Sequence, residues 1–405
     1  MKVAIIGQGY VGLPIAISAA EAGHNVGGFD INSSKINNLK KGISDSPDVS
    51  PEKIIEFQHQ KKIFFSDKIE DHKQSTIFVI SVPTPLDDNL KPELKYLNSA
   101  CELLAKIVKP GDLIINESTS YIGTLNDLIK PTIENLSGVK EIDFVVAPER
   151  IDPGNKNWNI RNTPRILAGI TNQATDRAVK FYESFCDNVI VVSNPHVAEA
   201  AKLLENTFRQ VNIALINEFS EVARKFDISA HETVSAAATK PYGFMPFYPS
   251  IGVGGHCIPI DPTYLIYSAN RVSESTEIIT LSNQINLSML KKIVSRIKLE
   301  LGGNIVGRRI QIAGITYKPN IADIRESPAL LLISELEDLG ADVIYSDPFI
   351  AKFNWRESQP LSSNIDLGLI VTPHDVFDFS IWKKSNSKVF DLSATPKNYG
   401  WPKFL

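Results

Sequence analysis

The sequence predicts an α/β protein of two doubly wound domains joined by one long helix, and three observations carry that expectation. At the start, Lys2-Val3-Ala4-Ile5-Ile6 reads as a strand that runs into Gly7-Gln8-Gly9-Tyr10-Val11-Gly12 and then into a helical stretch from Leu13 to Glu21, which Gly23 stops. From His196 to Phe226, apolar Val197, Ala201, Leu204, Phe208, Val211, Leu215, Val222 and Phe226 recur at steps of three, four or seven, which is helical spacing. Residues from Gly302 to Thr316 then restart the alternation of strand and helix, without a glycine fingerprint of their own.

Size and composition agree with this layout. A chain of 405 residues exceeds what one hydrophobic core usually supports, and we draw domains at 1–195, 196–300 and 301–405. With 43% hydrophobic residues, 22% charged residues and a net charge of -4, a soluble globular protein is expected, with no pull toward nucleic acid or membrane. Cys101, Cys186 and Cys257 are too few and too scattered for a disulfide framework or a zinc site, which suits a reducing cytoplasm. No charged leader with an apolar stretch opens the sequence and no long apolar run follows, so a cytoplasmic location is expected.

In the first domain, Asn25 to Phe29 supplies a second strand that ends in Asp30, where a Rossmann-like dinucleotide fold places the acid for a ribose hydroxyl pair. Bare backbone at Gly7, Gly9 and Gly12, with Tyr10 and Val11 between, would let a pyrophosphate approach the helix N-terminus. Asp30 would repel the extra phosphate of NADP, so NAD is the expected cofactor, with Lys35 the one nearby charge of opposite sign. Runs at Ile77 to Val82 and Leu113 to Asn116 continue a parallel sheet, and they place Thr84 and Thr119 at the strand ends where ligands bind. Simple turn chemistry explains those two threonines equally well. A further strand, Asp143 to Ala147, delivers Glu149, Arg150 and Ile151 to the same edge.

Along the long helix, the apolar seam predicts a buried face, and Lys202, Asn206 and Arg209, four and three apart, share another face from which they can reach one pocket. A solvated polar face is the plainer reading of those three residues. Such a helix suits a spine between domains that packs against a second copy, so a homodimer or higher homo-oligomer is expected. Beyond it, Gly252-Val253-Gly254-Gly255-His256-Cys257-Ile258-Pro259-Ile260-Asp261-Pro262 brings glycines up to a cysteine and sets an acid four residues later. That is the pattern of a nucleophile with room for substrate, against the plainer reading of a buried cysteine in a turn. The last domain is expected to hold strands at Ile310 to Ile315, Ala341 to Ser346, Leu367 to Val371 and Val389 to Leu392, and a helix from Ser327 to Leu339.

Taken together these marks resemble the UDP-glucose and GDP-mannose dehydrogenase superfamily along essentially the whole chain. The marks are Gly7 to Gly12, Val82-Pro83-Thr84-Pro85, Glu117-Ser118-Thr119, Ala200 to Asn206, Gly254-Gly255-His256-Cys257 and Tyr317-Lys318. Pro148-Glu149-Arg150, Leu204 to Arg209 and His256 to Pro262 most resemble the UDP-N-acetylglucosamine 6-dehydrogenases of bacterial surface-polysaccharide pathways. The resemblance implies oxidation of a sugar C6 alcohol to a carboxylate with two NAD. It implies Cys257 as covalent nucleophile, Lys202 and Asn206 as oxyanion stabilisers, and Asp261 as the acid that helps activate water. It links Glu149 to thioester hydrolysis and lets Thr119 orient water and nicotinamide. It places Arg150, Ile151, Lys202, Asn206, Arg209, Gly254, Tyr317 and Lys318 around the nucleotide sugar, and Arg325 at the cofactor.

The chain departs from the pattern at Ile260, where UDP-glucose enzymes carry a lysine, and at Ser250-Ile251, which replace a proline-glycine pair. The segment Asn398-Tyr399-Gly400-Trp401-Pro402 matches no pattern. Two rivals stand beside the resemblance: a catalytically silent nucleotide sensor or scaffold, and a two-electron dehydrogenase that needs no cysteine.

Overall fold

A computed structural model of the chain describes every residue except Asp45, Pro47, Pro153, Lys156, His256 and Cys257. The chain divides into two compact units, Met1–Glu205 with Thr263–Ser273, and Asn206–Pro262 with Glu274–Leu405.

The first unit is built on strands β1 (Lys2–Ile6), β2 (Asn25–Phe29), β3 (Ile63–Ser66), β4 (Ile77–Ile80), β5 (Leu113–Asn116), β6 (Asp143–Val146), β7 (Arg165–Gly169) and β8 (Val189–Val191). They form one sheet in the order β3-β2-β1-β4-β5-β6-β7-β8. Successive side chains of a strand point to opposite faces, and here both faces are covered. Val3 and Ile5 enter one buried cluster with Leu13, Ile15 and Phe181. Ala4 and Ile6 enter another with Leu97, Leu104 and Phe144. That two-sided burial is why these strands read as unbroken apolar runs.

The order reverses between β1 and β4, which opens the crevice where such folds bind dinucleotides. Pairing is parallel through β6, but β7 runs antiparallel to β6, with Val146 opposite Ala168. The run of parallel strands expected from the sequence therefore stops there. Parallel neighbours need a crossover, usually a helix, and the described residues between β6 and β7 hold none, so the chain comes straight back.

The second unit carries β9 (Arg309–Ala313), β10 (Asp342–Ser346), a short hairpin β11 (Lys352–Phe353) and β12 (Arg356–Glu357), β13 (Leu367–Ile370) and β14 (Lys388–Asp391). Its main sheet, in the order β10-β9-β13-β14, is parallel throughout and packs on helices Glu277–Glu300 and Pro328–Asp338. The residues that follow the patternless Asn398 to Pro402 segment extend this sheet. Lys403 bridges to Asp391 and lies 2.9 Å from its carboxylate, and Phe404 stacks on Phe390 at 4.3 Å.

The long helix runs Pro195–Lys225, with residues up to Glu205 in the first unit and those from Asn206 in the second. Its apolar seam is not buried within the chain, contrary to the sequence expectation. Leu204, Phe208, Leu215, Val222 and Phe226 are between 45% and 74% exposed. In the second unit the buried residues of the helix are Asn206, Thr207, Gln210, Ala214, Ile216, Asn217, Ser220 and Ala223. Asn206 and Asn217 there find side-chain partners inside the protein, so the face buried within the chain is a largely polar one that apolar periodicity does not mark.

Candidate active site

In the first unit the glycine turn between β1 and the helix Gly12–Glu21 has the shape the sequence requires. Gly7 sits at φ +97°, and a Cβ there would meet the Ser81 carbonyl oxygen at 2.4 Å, so only glycine fits. Beside Gly9 a Cβ would stand in open space, the room a pyrophosphate needs. Asp30 lies at the end of β2. Its Oδ2 accepts the Gln8 N–H at 3.0 Å, its Oδ1 accepts the Asn32 N–H at 2.9 Å, and Lys35 Nζ stands 3.8 Å away. A depression lined by Gln8, Gly9, Tyr10, Lys35 and Asn38 opens next to this acid. Open backbone, a placed carboxylate and a neighbouring depression fit NAD.

At the ends of β4 and β5, the Ser118 hydroxyl donates to the Val82 carbonyl at 2.8 Å and accepts the Val82 N–H at 2.9 Å. This strap fixes the loops that carry buried Thr84 and half-buried Thr119. After β6, Glu149 is buried, and Ile151 donates its N–H to the Glu149 carboxyl. Burial pushes that carboxyl up from its ordinary value, with the Lys202 charge pulling it back. Lys202 is itself buried on the long helix. Arg150 is held by Glu205, with NH2 at 2.6 Å and Nε at 3.2 Å, and by the Pro164 carbonyl at 2.9 Å.

Two buried groups escaped the sequence reading. Glu117, quoted only as part of a motif, forms an ion pair with Arg165 at 2.7 Å and accepts the Tyr182 hydroxyl. Burial works against the Arg165 charge, and Glu117, with Tyr182, Cys186 and Glu149, together more than offsets this. The Glu149 N–H reaches the Glu117 carbonyl at 3.3 Å, so this pair stands directly behind Glu149. Glu199, one turn before Lys202 on the helix, accepts the N–H groups of Gly123 at 2.6 Å and Leu125 at 3.0 Å. Burial raises its carboxyl to about 7, against the downward pull of those two bonds. Nothing in residue spacing signals either group, because the partners are far apart in sequence.

In the second unit Asn206 donates to Asp261 at 2.5 Å, and both are buried. The sequence separates them by 55 positions, and the fold brings them together. Arg209 is exposed. Gly254 packs tightly, because a Cβ there would lie 2.8 Å from Pro328 and 3.1 Å from Tyr317 Cβ. The Tyr317 N–H donates to the Asp323 backbone carbonyl at 3.0 Å, and the Thr316 hydroxyl donates to the Lys318 carbonyl at 2.9 Å. Arg325 folds onto Asp323, with NH2 at 2.6 Å. Cys257 lies outside the described residues. Among the described residues no cluster could hold a metal ion, and no helix is long and apolar enough to cross a membrane.

Comparison with known proteins accords with this geometry. Residues 1–186, 196–288 and 311–395 match the NAD binding, central and UDP binding domains of the UDP-glucose/GDP-mannose dehydrogenase family. The chain is 34% identical over 402 residues to a UDP-N-acetyl-D-glucosamine 6-dehydrogenase of Pseudomonas aeruginosa, covering 97% of this chain and 92% of the relative. It is also 34% identical over 396 residues to a UDP-N-acetyl-D-mannosamine dehydrogenase of Pyrococcus horikoshii, covering 95% and 92%. A solved UDP-D-ManNAc dehydrogenase from Pyrococcus horikoshii superposes with a TM-score of 0.89 at 31% identity, over 100% of this chain and 97% of that one.

Proposed function

The chain belongs to the UDP-glucose/GDP-mannose dehydrogenase family, and on that premise we propose that it oxidises the C6 hydroxyl of UDP-N-acetylglucosamine to the uronate, for surface polysaccharide synthesis. It is an NAD-dependent oxidoreductase of nucleotide sugars. The observation that supports the C6 oxidation is the buried Asn206–Asp261 pair, a donor and an acid joined at 2.5 Å, with Asp261 four residues past Cys257 in sequence. The choice of the N-acetyl sugar rests on Arg150, Arg209 and the Ile258 to Pro262 stretch.

Bound NAD supplies hydride acceptance, twice per sugar. The Cys257 thiolate adds to the C6 aldehyde to give a thiohemiacetal, whose oxidation leaves a thioester. Lys202 and Asn206 stabilise the oxyanion, and Lys202 takes the alcohol proton. Asp261 directs water onto the thioester, and Glu149 acts in the hydrolysis that releases the carboxylate and frees the thiolate. Thr119 would orient that water and the nicotinamide, and Thr84, Lys35 and Arg325 would contact the cofactor. Arg150, Ile151, Arg209, Gly254, Tyr317 and Lys318 hold the nucleotide sugar.

UDP-N-acetylmannosamine is the second reading, favoured by the Pyrococcus horikoshii relative and its solved structure. The test is kcat/KM for UDP-N-acetylglucosamine, UDP-N-acetylmannosamine and UDP-glucose, with NADH counted per sugar. We expect UDP-N-acetylglucosamine to lead with two NADH each, and Cys257→Ser to form no uronate. If UDP-glucose leads, the N-acetyl assignment is wrong. Wild-type turnover in Cys257→Ser rules out the covalent route. We also propose that a second copy of the chain covers the exposed seam of the long helix.

A further inference from the structure

The stretch Ser250-Ile251, where the sequence departs from its resemblance, is the point at which a buried chain of amides meets the loop that runs into Cys257. Asn286, on helix Glu277–Glu300, donates through Nδ2 to the Gln210 carbonyl of the long helix at 3.1 Å. Its Oδ1 accepts Asn217 Nδ2 at 3.0 Å. Asn217 Oδ1 in turn accepts the Ser250 N–H at 2.8 Å. The Ser250 hydroxyl then donates to the Gly252 carbonyl at 2.8 Å.

Every bond in this chain has one sense. Turning either asparagine would set N–H against N–H or oxygen against oxygen, so the amides are locked in orientation. Asn217 is fully buried and Asn286 and Gln210 nearly so, which makes each broken link expensive because water cannot replace it. On its other side the same loop is fixed at Gly254, wedged against Pro328 and Tyr317. Two helices therefore grip one end of the loop and the Tyr317 segment grips the other. None of these amides is needed for the chemistry assigned above, and no charge resides on them.

We propose that Asn217 and Asn286, acting through Ser250, are positioning residues for the loop that delivers the Cys257 nucleophile. The proposal rests on the covalent reading in the preceding subsection. If the loop slackens, the first oxidation still yields the C6 aldehyde and NADH, but the thiolate traps the aldehyde inefficiently. The aldehyde then leaves as a two-electron product, with no second NADH formed.

The test uses the full chain as wild type, Asn217→Asp and Ser250→Ala. Asn217→Asp keeps the acceptor for Ser250 but sets an oxygen against Asn286 Oδ1. Ser250→Ala keeps the N–H and removes the bond to Gly252. Uronate formation, NADH per sugar and aldehyde captured by semicarbazide are measured, with KM for NAD as a control.

For Asn217→Asp we expect uronate formation to fall about tenfold or more while NADH per sugar drops from two toward one and aldehyde appears. Ser250→Ala should show the same signature in milder form. A folded Asn217→Asp that keeps the wild-type rate overturns the proposal. So does one that loses rate while still giving two NADH and no aldehyde, the mark of a merely smaller active fraction. If Asn217→Asp does not fold, Ser250→Ala is judged by the same criteria. A wild type that itself gives one NADH per sugar instead overturns the covalent reading, an outcome separable from failure of the positioning role.

Discussion

Asp30 does two jobs at once. Its carboxylate ties the glycine turn through the Gln8 N–H and its own turn through the Asn32 N–H, and we propose it as the acid for a ribose hydroxyl pair. Lys35, read from sequence as a nearby charge of opposite sign, stands 3.8 Å from it. We expect Asp30→Ala to raise KM for NAD about tenfold or more, since hydrogen bonds to a charged group are lost, and to narrow the preference over NADP. Initial rates with both cofactors check this, and unchanged NAD kinetics would show the acid misassigned. Residues of this kind were legible because strand, turn and acid are close in sequence. The Asn206–Asp261 pair was different: both residues were named, but their contact depends on chain 55 positions apart folding together.

At the scale of elements, the long helix buries the face that looked least like a core. Glu199 holds the Gly123 and Leu125 N–H groups, which begin the helical segment that follows the Thr119 loop. Its carboxyl titrates at about 7 in the folded chain, above the ordinary 4.5. A raised acid favours the folded state while protonated, so stability is highest below the ordinary value and declines as pH rises through about 7. That pH-dependent loss is on the order of 3 kcal/mol. Glu199→Gln cannot ionise, so its melting temperature relative to wild type should rise between pH 5 and pH 8. A difference that stays flat with pH would remove Glu199 as the titrating group. The β6 to β7 return belongs to this scale too: sequence located β6, but strand direction was set by a connection that holds no helix.

For the whole molecule, the exposed seam asks for a partner. Phe208, Leu215 and Val222 lie at helical spacing on the second unit's part of the long helix and Phe226 directly follows its end, all exposed. A symmetric dimer would bury each residue twice, so one charge introduced there acts in both copies. We expect Leu215→Glu to weaken self-association about a hundredfold or more, read by sedimentation across a concentration series. A wild-type chain that sediments as a monomer at all concentrations would refute the second copy as occupant.

The sequence by itself determined the alternating strands of both units, the glycine turn with Asp30, the long helix and the family to which these marks point. Those features rest on short-range pattern, where backbone sterics and a period of two or of about 3.6 residues leave few alternatives. Only the tertiary structure decided which face of the long helix is buried, that Glu117 and Arg165 form a charged pair behind Glu149, and that Asn217, Asn286 and Ser250 join in one amide chain. Each of these is a long-range pairing of polar groups. Burial makes such pairing obligatory, yet any asparagine or glutamate in the sequence could have answered the need, and only packing chose which ones did.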